Sequence, residues 1–591
     1  MLGLPRSYTL FLIACGVLIL GGTAEAIAEE AAKAPDPAWK ADVDDAKASA
    51  TKAANIAWML VSTALVMFML PGLALFYGGM VRRKNILGTM MHTMAALGLV
   101  GVQWVVCGYA IAFGDTQNGY YGWSSDLMFL GSDAAMSDKY KNFPGTEIPL
   151  YLHAMFQGMF AIITVALISG AFAERVKFFT YCIFALLWTT LVYDPLAHWV
   201  WAFNWTDATA AGWLGAKGAI DYAGGTVVHI AAGVSGLTAV LLLRRRVGYG
   251  KQVFHPNSVI LTLLGAGMLW FGWFGFNGGS GLASSVQAVT AFTVTQVAAA
   301  TAALAWMIVE WLHRGKPTAL GFASGLVAGL VAITPASGFV SPSSALIIGA
   351  ISGVVCYWAV SAKSLLGYDD SLDAFGIHGV GGIIGAVLTG AMVSLPLWAF
   401  GSGMAPDTFP GKLNEAKDAI DYSAQIQVQL LAVGAAALYS FLVTAILVVV
   451  LDNTIGFSLK KEDEMIGLDL SQHGEVGLDV GPDVDGMATP SGSEPKSATT
   501  PRSLPNGQAK RFSVIVEGAD AKELLRIWSD LCKAGEAPPK PEFKAVYPYL
   551  TTVSGNKFRF RGGDPIEVKR NLQALFQSSM EGQAIVTHVE H

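Results

Sequence analysis

The sequence predicts an all-α membrane protein: eleven transmembrane helices in two inverted five-helix repeats plus one, followed by an α+β ferredoxin-like domain. Three observations carry this expectation. Of 591 residues, 53% are hydrophobic and 14% charged, against about 25% charged in soluble domains, and mean hydropathy is +0.48. Apolar stretches of about 20 residues, the length of a bilayer-crossing helix, recur from Trp58 onward. Short motifs in the first five stretches return in the next five. A net charge of −6 with no Lys/Arg-rich run is not the profile of a nucleic-acid binder. Five cysteines are thinly spread, and Cys107, Cys182 and Cys356 sit in apolar stretches, so they read as packing residues rather than a disulfide framework.

The elements follow in chain order. Residues 1–28 read as an export signal: Arg6, a short apolar run from Tyr8 to Leu20, then the small-x-small site Ala24-Glu25-Ala26. Residues 29–54 read as an acidic, Ala-rich outer tail. The expected spans are 57–79, 89–114, 151–172, 177–200, 221–243, 256–276, 282–311, 318–335, 343–362, 373–397 and 424–452. The 66 glycines, many within these spans, allow close helix contact in lipid.

Orientation follows from Lys and Arg. Arg82-Arg83-Lys84, Arg175 with Lys177, Arg244-Arg245-Arg246 with Lys251, Arg314 with Lys316, and Lys363 mark alternate loops, and Lys460-Lys461 follows the last span. The intervening loops are poorer in basic residues. The basic set is expected in the cytoplasm, which places the N-terminus outside and the C-terminus inside a plasma (inner) membrane. The export signal gives the same orientation independently.

The repeat is legible in two places. Phe76-Tyr77-Gly78-Gly79 ends the first span and Phe276-Asn277-Gly278-Gly279 the sixth. His229 in the fifth span is followed by Gly233 and Gly236, and His378 in the tenth by Gly382 and Gly385, at identical offsets. Five spans per half is odd, so the halves insert with opposite topology, as in transporters whose solute path lies at the repeat interface.

Ionisable residues within a span are functional candidates. Neither His229 nor His378 has an acid or another histidine at i±3 or i±4, so neither suggests a helical metal site. A pseudo-twofold axis would bring the two imidazoles together, able to share and pass one proton. The bland alternative is a pair of core histidines bonded to carbonyls. Phe156 and Phe160 share a helix face, Phe276 closes the sixth span, and Trp201 lies at a membrane edge. Most such aromatics are interface anchors, although their faces also hold small cations. Ser280 adds a hydroxyl acceptor nearby. Asp221 and Asp373 precede the two histidines and are expected to cap the fifth and tenth spans rather than ligate a cation.

Five strings carry a family resemblance: Pro71-Gly-Leu-Ala-Leu-Phe76-Tyr-Gly-Gly79, Gly170-Ala-Phe-Ala-Glu174-Arg175, Asp221-Tyr-Ala-Gly-Gly-Thr-Val-Val-His229, Gly272-Trp-Phe-Gly-Phe276-Asn-Gly-Gly-Ser280 and Asp373-Ala-Phe-Gly-Ile-His378-Gly. They resemble the ammonium transporter (Amt/MEP/Rh) family, its bacterial Amt branch above all, over about residues 55–480. The resemblance implies a homotrimer with one pore per subunit and no cofactor. It implies an outer vestibule recruiting ammonium at Trp201, Ser280 and Phe156, a gate of Phe160 and Phe276, and twin pore histidines at His229 and His378. The membrane domain is then 55–456, and 457–480 a cytoplasmic C-terminal region that couples subunits and touches P-II signal proteins. His473 in that region has no second ligand near it in sequence.

Residues 481–509, rich in Pro, Gly, Ser and Thr, read as a linker. Residues 510–591 read as βαββαβ: strands at 512–516, 543–553, 558–560 and 584–589, one helix from Asp520 and another from Asp564-Pro565. No phosphate loop or catalytic cluster points to an enzyme. The competing expectation is an ammonium sensor that signals through residues 510–591.

Overall fold

The computed structural model describes residues 37–478, 511–517, 550–554, 557–561, 565–577 and 586–590. The expected export signal, the linker and the helix from Asp520 lie outside the described residues. The chain separates into two units, 1–479 and 480–591.

The first unit is built from long helices: α1 (Pro37–Met80), α2 (Arg83–Phe113), α3 (Leu150–Ser169), α4 (Phe178–Trp201), α5 (Gly225–Leu242), α6 (Val259–Gly279), α7 (Val286–Arg314), α8 (Ala319–Ile333), α9 (Pro342–Leu366), α10 (Phe375–Met392) and α11 (Tyr422–Thr454). Among the described residues, ten of these are long and apolar enough to cross a membrane; α8, at 15 residues, is shorter. Several start where side chains cap them. Ser258, Ser285, Thr318, Ser341 and Asp421 each accept from a backbone N–H three residues on. Gly315 and Gly367 end α7 and α9 in the left-handed conformation that lacks a Cβ penalty only for glycine.

One expectation gains detail and one needs correction. From residue 37 onward the segment expected as an outer tail is helical and continuous with the first span. Pro37–Met80 is one helix of 44 residues, about 66 Å long, because its Ala-rich start favours helix. The span expected over 373–397 stops at Met392, and Ser394 caps a separate short helix, Leu395–Ser402. Of the cysteines expected in packing, Cys356 is buried while Cys107 and Cys182 are partly exposed.

The basic loops are less solvated than a topology signal suggests. Arg175 is fully buried and paired with Asp369. Arg246 bridges Asp369 at 2.7 Å and Glu174 at 2.9 Å. Glu174 also accepts from Arg82 at 3.1 Å and Asn85 at 2.8 Å. The same face receives residues 457–478. Arg244 pairs with Glu464 at 2.6 Å, Asp469 accepts from Gly88 N at 2.8 Å, and Leu468 N donates to Asn85 Oδ1 at 2.9 Å.

Burial alone would push the Glu174 carboxyl up, but Arg246, Arg82 and the Arg82 and Asn85 hydrogen bonds outweigh it and hold it at about 2, against an ordinary 4.5. A depressed carboxylate contributes stability above its unfolded value and loses it as pH falls through the folded one. Acidification from pH 4.5 to 2 is therefore expected to remove about 3 kcal/mol at this site. Thermal unfolding in detergent across that window checks this, with Glu174→Gln giving a flatter profile.

Among its described residues the second unit has four strands, β1 (Arg511–Glu517), β2 (Leu550–Ser554), β3 (Lys557–Arg561) and β4 (Val586–Glu590), and a helix, α12 (Pro565–Gln577). The sheet order is β2-β3-β1-β4. Each neighbouring pair is antiparallel, with Val514 opposite Phe558 on one side and Val589 on the other.

Candidate functional site

Helices α5 and α10 each open with a π-helical segment, Gly225–Ile230 and Phe375–Gly379, and each segment carries one of the histidines. π-segments inside helices often coincide with functional sites. An aspartate anchors the start of each helix. Asp221 accepts from the N–H groups of Gly224 (2.9 Å), Gly225 (2.6 Å), Thr226 (2.8 Å) and Val227 (3.1 Å). On α10 the matching residue is Asp370, which accepts from Ala374 N (3.1 Å) and Phe375 N (2.8 Å).

That corrects the expectation for Asp373. Its carboxylate pairs with Lys363 instead, and its own backbone sits at φ 62°, turning the chain into the helix. Register explains the difference. Asp370 stands eight residues before His378, as Asp221 does before His229, whereas Asp373 stands only five before.

The two helices pack closely enough for the imidazoles to meet. Gly233, four residues after His229, lies on the backbone of Gly379, where a Cβ would collide. Gly382, four residues after His378, lies on α5, where a Cβ would come within 2.9 Å of Gly225 O and 3.1 Å of His229 Cβ. The result is a Nδ1···Nδ1 distance of 3.3 Å between His229 and His378, with ring centroids 5.4 Å apart and planes at 19°. One proton shared between the two Nδ1 atoms leaves each Nε2 free for other partners. His229 Nε2 is buried without a partner among the described residues. Trp273 lies nearly parallel to His229, with centroids 5.4 Å apart at 15°, and its indole N–H donates to Thr334 at 2.9 Å. Gly233→Ala is expected to cost about 1–3 kcal/mol in overpacking and to separate the rings, read as a lower unfolding temperature.

The histidines line a narrow, mostly apolar cavity with Leu73, Ile163, Leu167, Val228 and Phe276. It offers only about 10 Å³ to the centre of a water-sized sphere, roughly what one water needs. Phe160 and Phe276 stack at one end of it, centroids 4.1 Å apart and planes at 26°. Beyond Phe160 lies a second, wider cavity of about 100 Å³, lined by Phe143, His153, Gln157, Phe160, Trp201, Phe203, Tyr222, Ser280 and Leu282. Trp201 stands edge-on to Phe160, at 6.1 Å and 88°, and its indole N–H donates to Asp221 O at 2.7 Å. Ser280 donates its hydroxyl proton to Phe276 O at 2.8 Å, which leaves its oxygen lone pairs available.

Trp201, Ser280 and Phe160 thus meet at one cavity, and Phe276 seals the other side. Phe156 is placed differently. It is fully buried, 5.0 Å from Phe160, packs on Gly279, and is not among the cavity's lining residues. It sits one turn before Phe160 and backs that ring. Sequence reasoning missed Asp370, Trp273, His153, Gln157 and Tyr222. The eight-residue offset pointed to Asp370, and the i, i+3 spacing to Phe276 pointed to Trp273.

Comparisons with known proteins agree in extent. Residues 57–478 match the sequence model of the Ammonium Transporter Family. The chain is 46% identical over 424 residues to the ammonium transporter of Aquifex aeolicus (strain VF5), spanning 71% of this chain and 92% of that protein. It superposes on the crystal structure of Saccharomyces cerevisiae Mep2 with a TM-score of 0.61 at 36% identity, covering 69% of this chain and 88% of that one. It also superposes on a solved protein described as a sensor Amt protein, with a TM-score of 0.64 at 27% identity, covering 72% and 99%. The match takes in both histidine-bearing helices, both cavities and the stacked phenyl pair between them: the chain belongs to the ammonium transporter family.

Proposed function

We propose that the protein moves ammonium across a membrane by stripping its proton at the outer cavity, conducting ammonia through the narrow one, and relaying the proton along His229 and His378. The observation that carries this reading is the 3.3 Å Nδ1···Nδ1 contact inside a lumen barely wide enough for a water molecule. A bare cation in such an apolar passage costs many kcal/mol, whereas neutral ammonia is cheap to admit. The cation is therefore held at the wide cavity by the faces of Trp201 and Phe160 and by Ser280 Oγ. Its neutral form passes the Phe160–Phe276 gate, while Phe156 holds the Phe160 ring from behind. Asp221 fixes the start of α5 and so the position of His229.

The architecture we infer has α8 as an eleventh span, since twelve of its fifteen residues, Gly321 and all of Ala323–Ile333, are buried. Helices α1–α5 and α6–α10 are then inverted repeats; the paired aspartates, π-segments and glycines of α5 and α10 support this. The face bearing the basic loops is cytoplasmic, the protein is an inner-membrane homotrimer, and residues 1–28 are an export signal. The sheet order of the second unit, with the fourth strand beside the first, supports a ferredoxin-like module. We assign residues 457–480 and 510–591 to regulation of transport, the former as a docking region for a P-II-type protein.

A second reading is favoured by one observation, the likeness to a sensor Amt protein. In that case ammonium binds with little flux and residues 510–591 signal. Stopped-flow measurement of internal pH in proteoliposomes carrying the full chain separates the two. Transport predicts an ammonium-dependent pH change many times that of empty vesicles, and a sensor predicts the empty-vesicle rate together with saturable binding.

A further inference from the structure

The wide cavity holds polar groups that neither the stacked phenyls nor the twin histidines explain. His153, on α3, is fully buried, and its Nε2 has no partner among the described residues. Two neighbours in the cavity wall share this property, Gln157 at Oε1 and Tyr222 at Oη. A buried polar atom left unpaired keeps the full cost of its desolvation, so three around a single cavity call for a ligand. The His153 ring is also held in place. Phe143 stacks on one face, with centroids 3.6 Å apart at 11°, Phe113 stands edge-on at 4.9 Å, and Tyr109 Oη occupies Nδ1 at 2.9 Å. Only Nε2 remains for the cavity.

We propose that His153 is an ammonium-binding and specificity-determining residue of the outer cavity, presenting Nε2 beside Gln157 Oε1, Tyr222 Oη and Ser280 Oγ as an acceptor set for one ammonium ion. The proposal rests on the transport reading of the same cavity. Ammonium carries four N–H donors and no acceptor, so it matches a shell of several acceptors around a small volume. Its arrival selects the tautomer in which His153 Nδ1–H donates to Tyr109 and Nε2 accepts. An imidazole nitrogen also discriminates. It accepts an N–H hydrogen bond readily, but a hard alkali cation of similar size prefers oxygen ligands.

The test uses the full chain in proteoliposomes on a solid-supported membrane, with current recorded against ammonium concentration. Hydrogen bonds to charged groups imply that His153→Leu raises the half-saturating concentration about tenfold, while the maximal current falls less than twofold. Gln157→Leu, which leaves the His153 packing intact, is expected to shift half-saturation severalfold, and it carries the test should His153→Leu not fold. In the His153→Leu protein, excess potassium is expected to inhibit the ammonium current more than in the unaltered chain. Unchanged half-saturation in both variants, or a loss confined to maximal current, overturns the proposal. A silent unaltered chain overturns the transport reading beneath it instead.

Discussion

His229→Ala is expected to lower the ammonium-evoked current by about a hundredfold or more, the range in which positioned proton transfer contributes. Its Nδ1 lies 3.3 Å from that of His378, and alanine supplies that ring with neither donor nor acceptor. His378→Ala is expected to do the same. The informative result is the double variant. Residues acting as one unit are non-additive, so removing both should cost no more current than removing either. Two independent contributions would instead multiply. The fold is expected to survive, because the His229 imidazole makes no described hydrogen bond except to His378 and mainly fills space between Trp273, Phe276 and its partner. The checks are current amplitude at saturating ammonium and an unfolding temperature for each variant.

Asp369→Asn is expected to destabilise the membrane unit by about 3–5 kcal/mol, the cost of breaking a buried ion pair from one side. Its carboxylate faces two guanidiniums, Arg175 and Arg246, and also accepts the Arg246 backbone N–H at 2.7 Å. Asparagine removes the charge and leaves Arg175, fully buried, without its counter-ion. Exposure should decide the size of the effect. The Lys139–Asp115 pair is 2.8 Å long with side chains 42% and 47% exposed, and Asp115→Asn is expected to cost at most about 1 kcal/mol. Thermal unfolding of the two variants side by side measures the contrast.

Much of this was legible in the residues. Span positions followed from apolar length, and the histidine pair followed from two rings carrying glycines at the same offsets. What failed did so for identifiable reasons. Asp373 lies nearer His378 in sequence than Asp370 does, but register, not proximity, decides which carboxylate caps the helix. The start of α1 has no apolar period to announce it, and its alanines carry the helix through an acidic stretch. The basic loops were read only for topology, and nothing local in the sequence announces that Arg175 and Arg246 meet Glu174 and Asp369 from distant segments. His153 has no repeat-matched counterpart to mark it as His229 and His378 mark each other. Its significance depends on Tyr109, Phe143 and Tyr222, which only the folded chain brings around it.

The central claim is that the passage admits ammonia and relays a proton along the paired imidazoles while refusing a bare cation. It is tested most directly by currents from one proteoliposome preparation given equal steps of ammonium and of potassium. A transient with ammonium and none with potassium is the predicted result. Potassium currents of similar size would contradict it, since potassium has no proton to give up and could cross only as the intact ion.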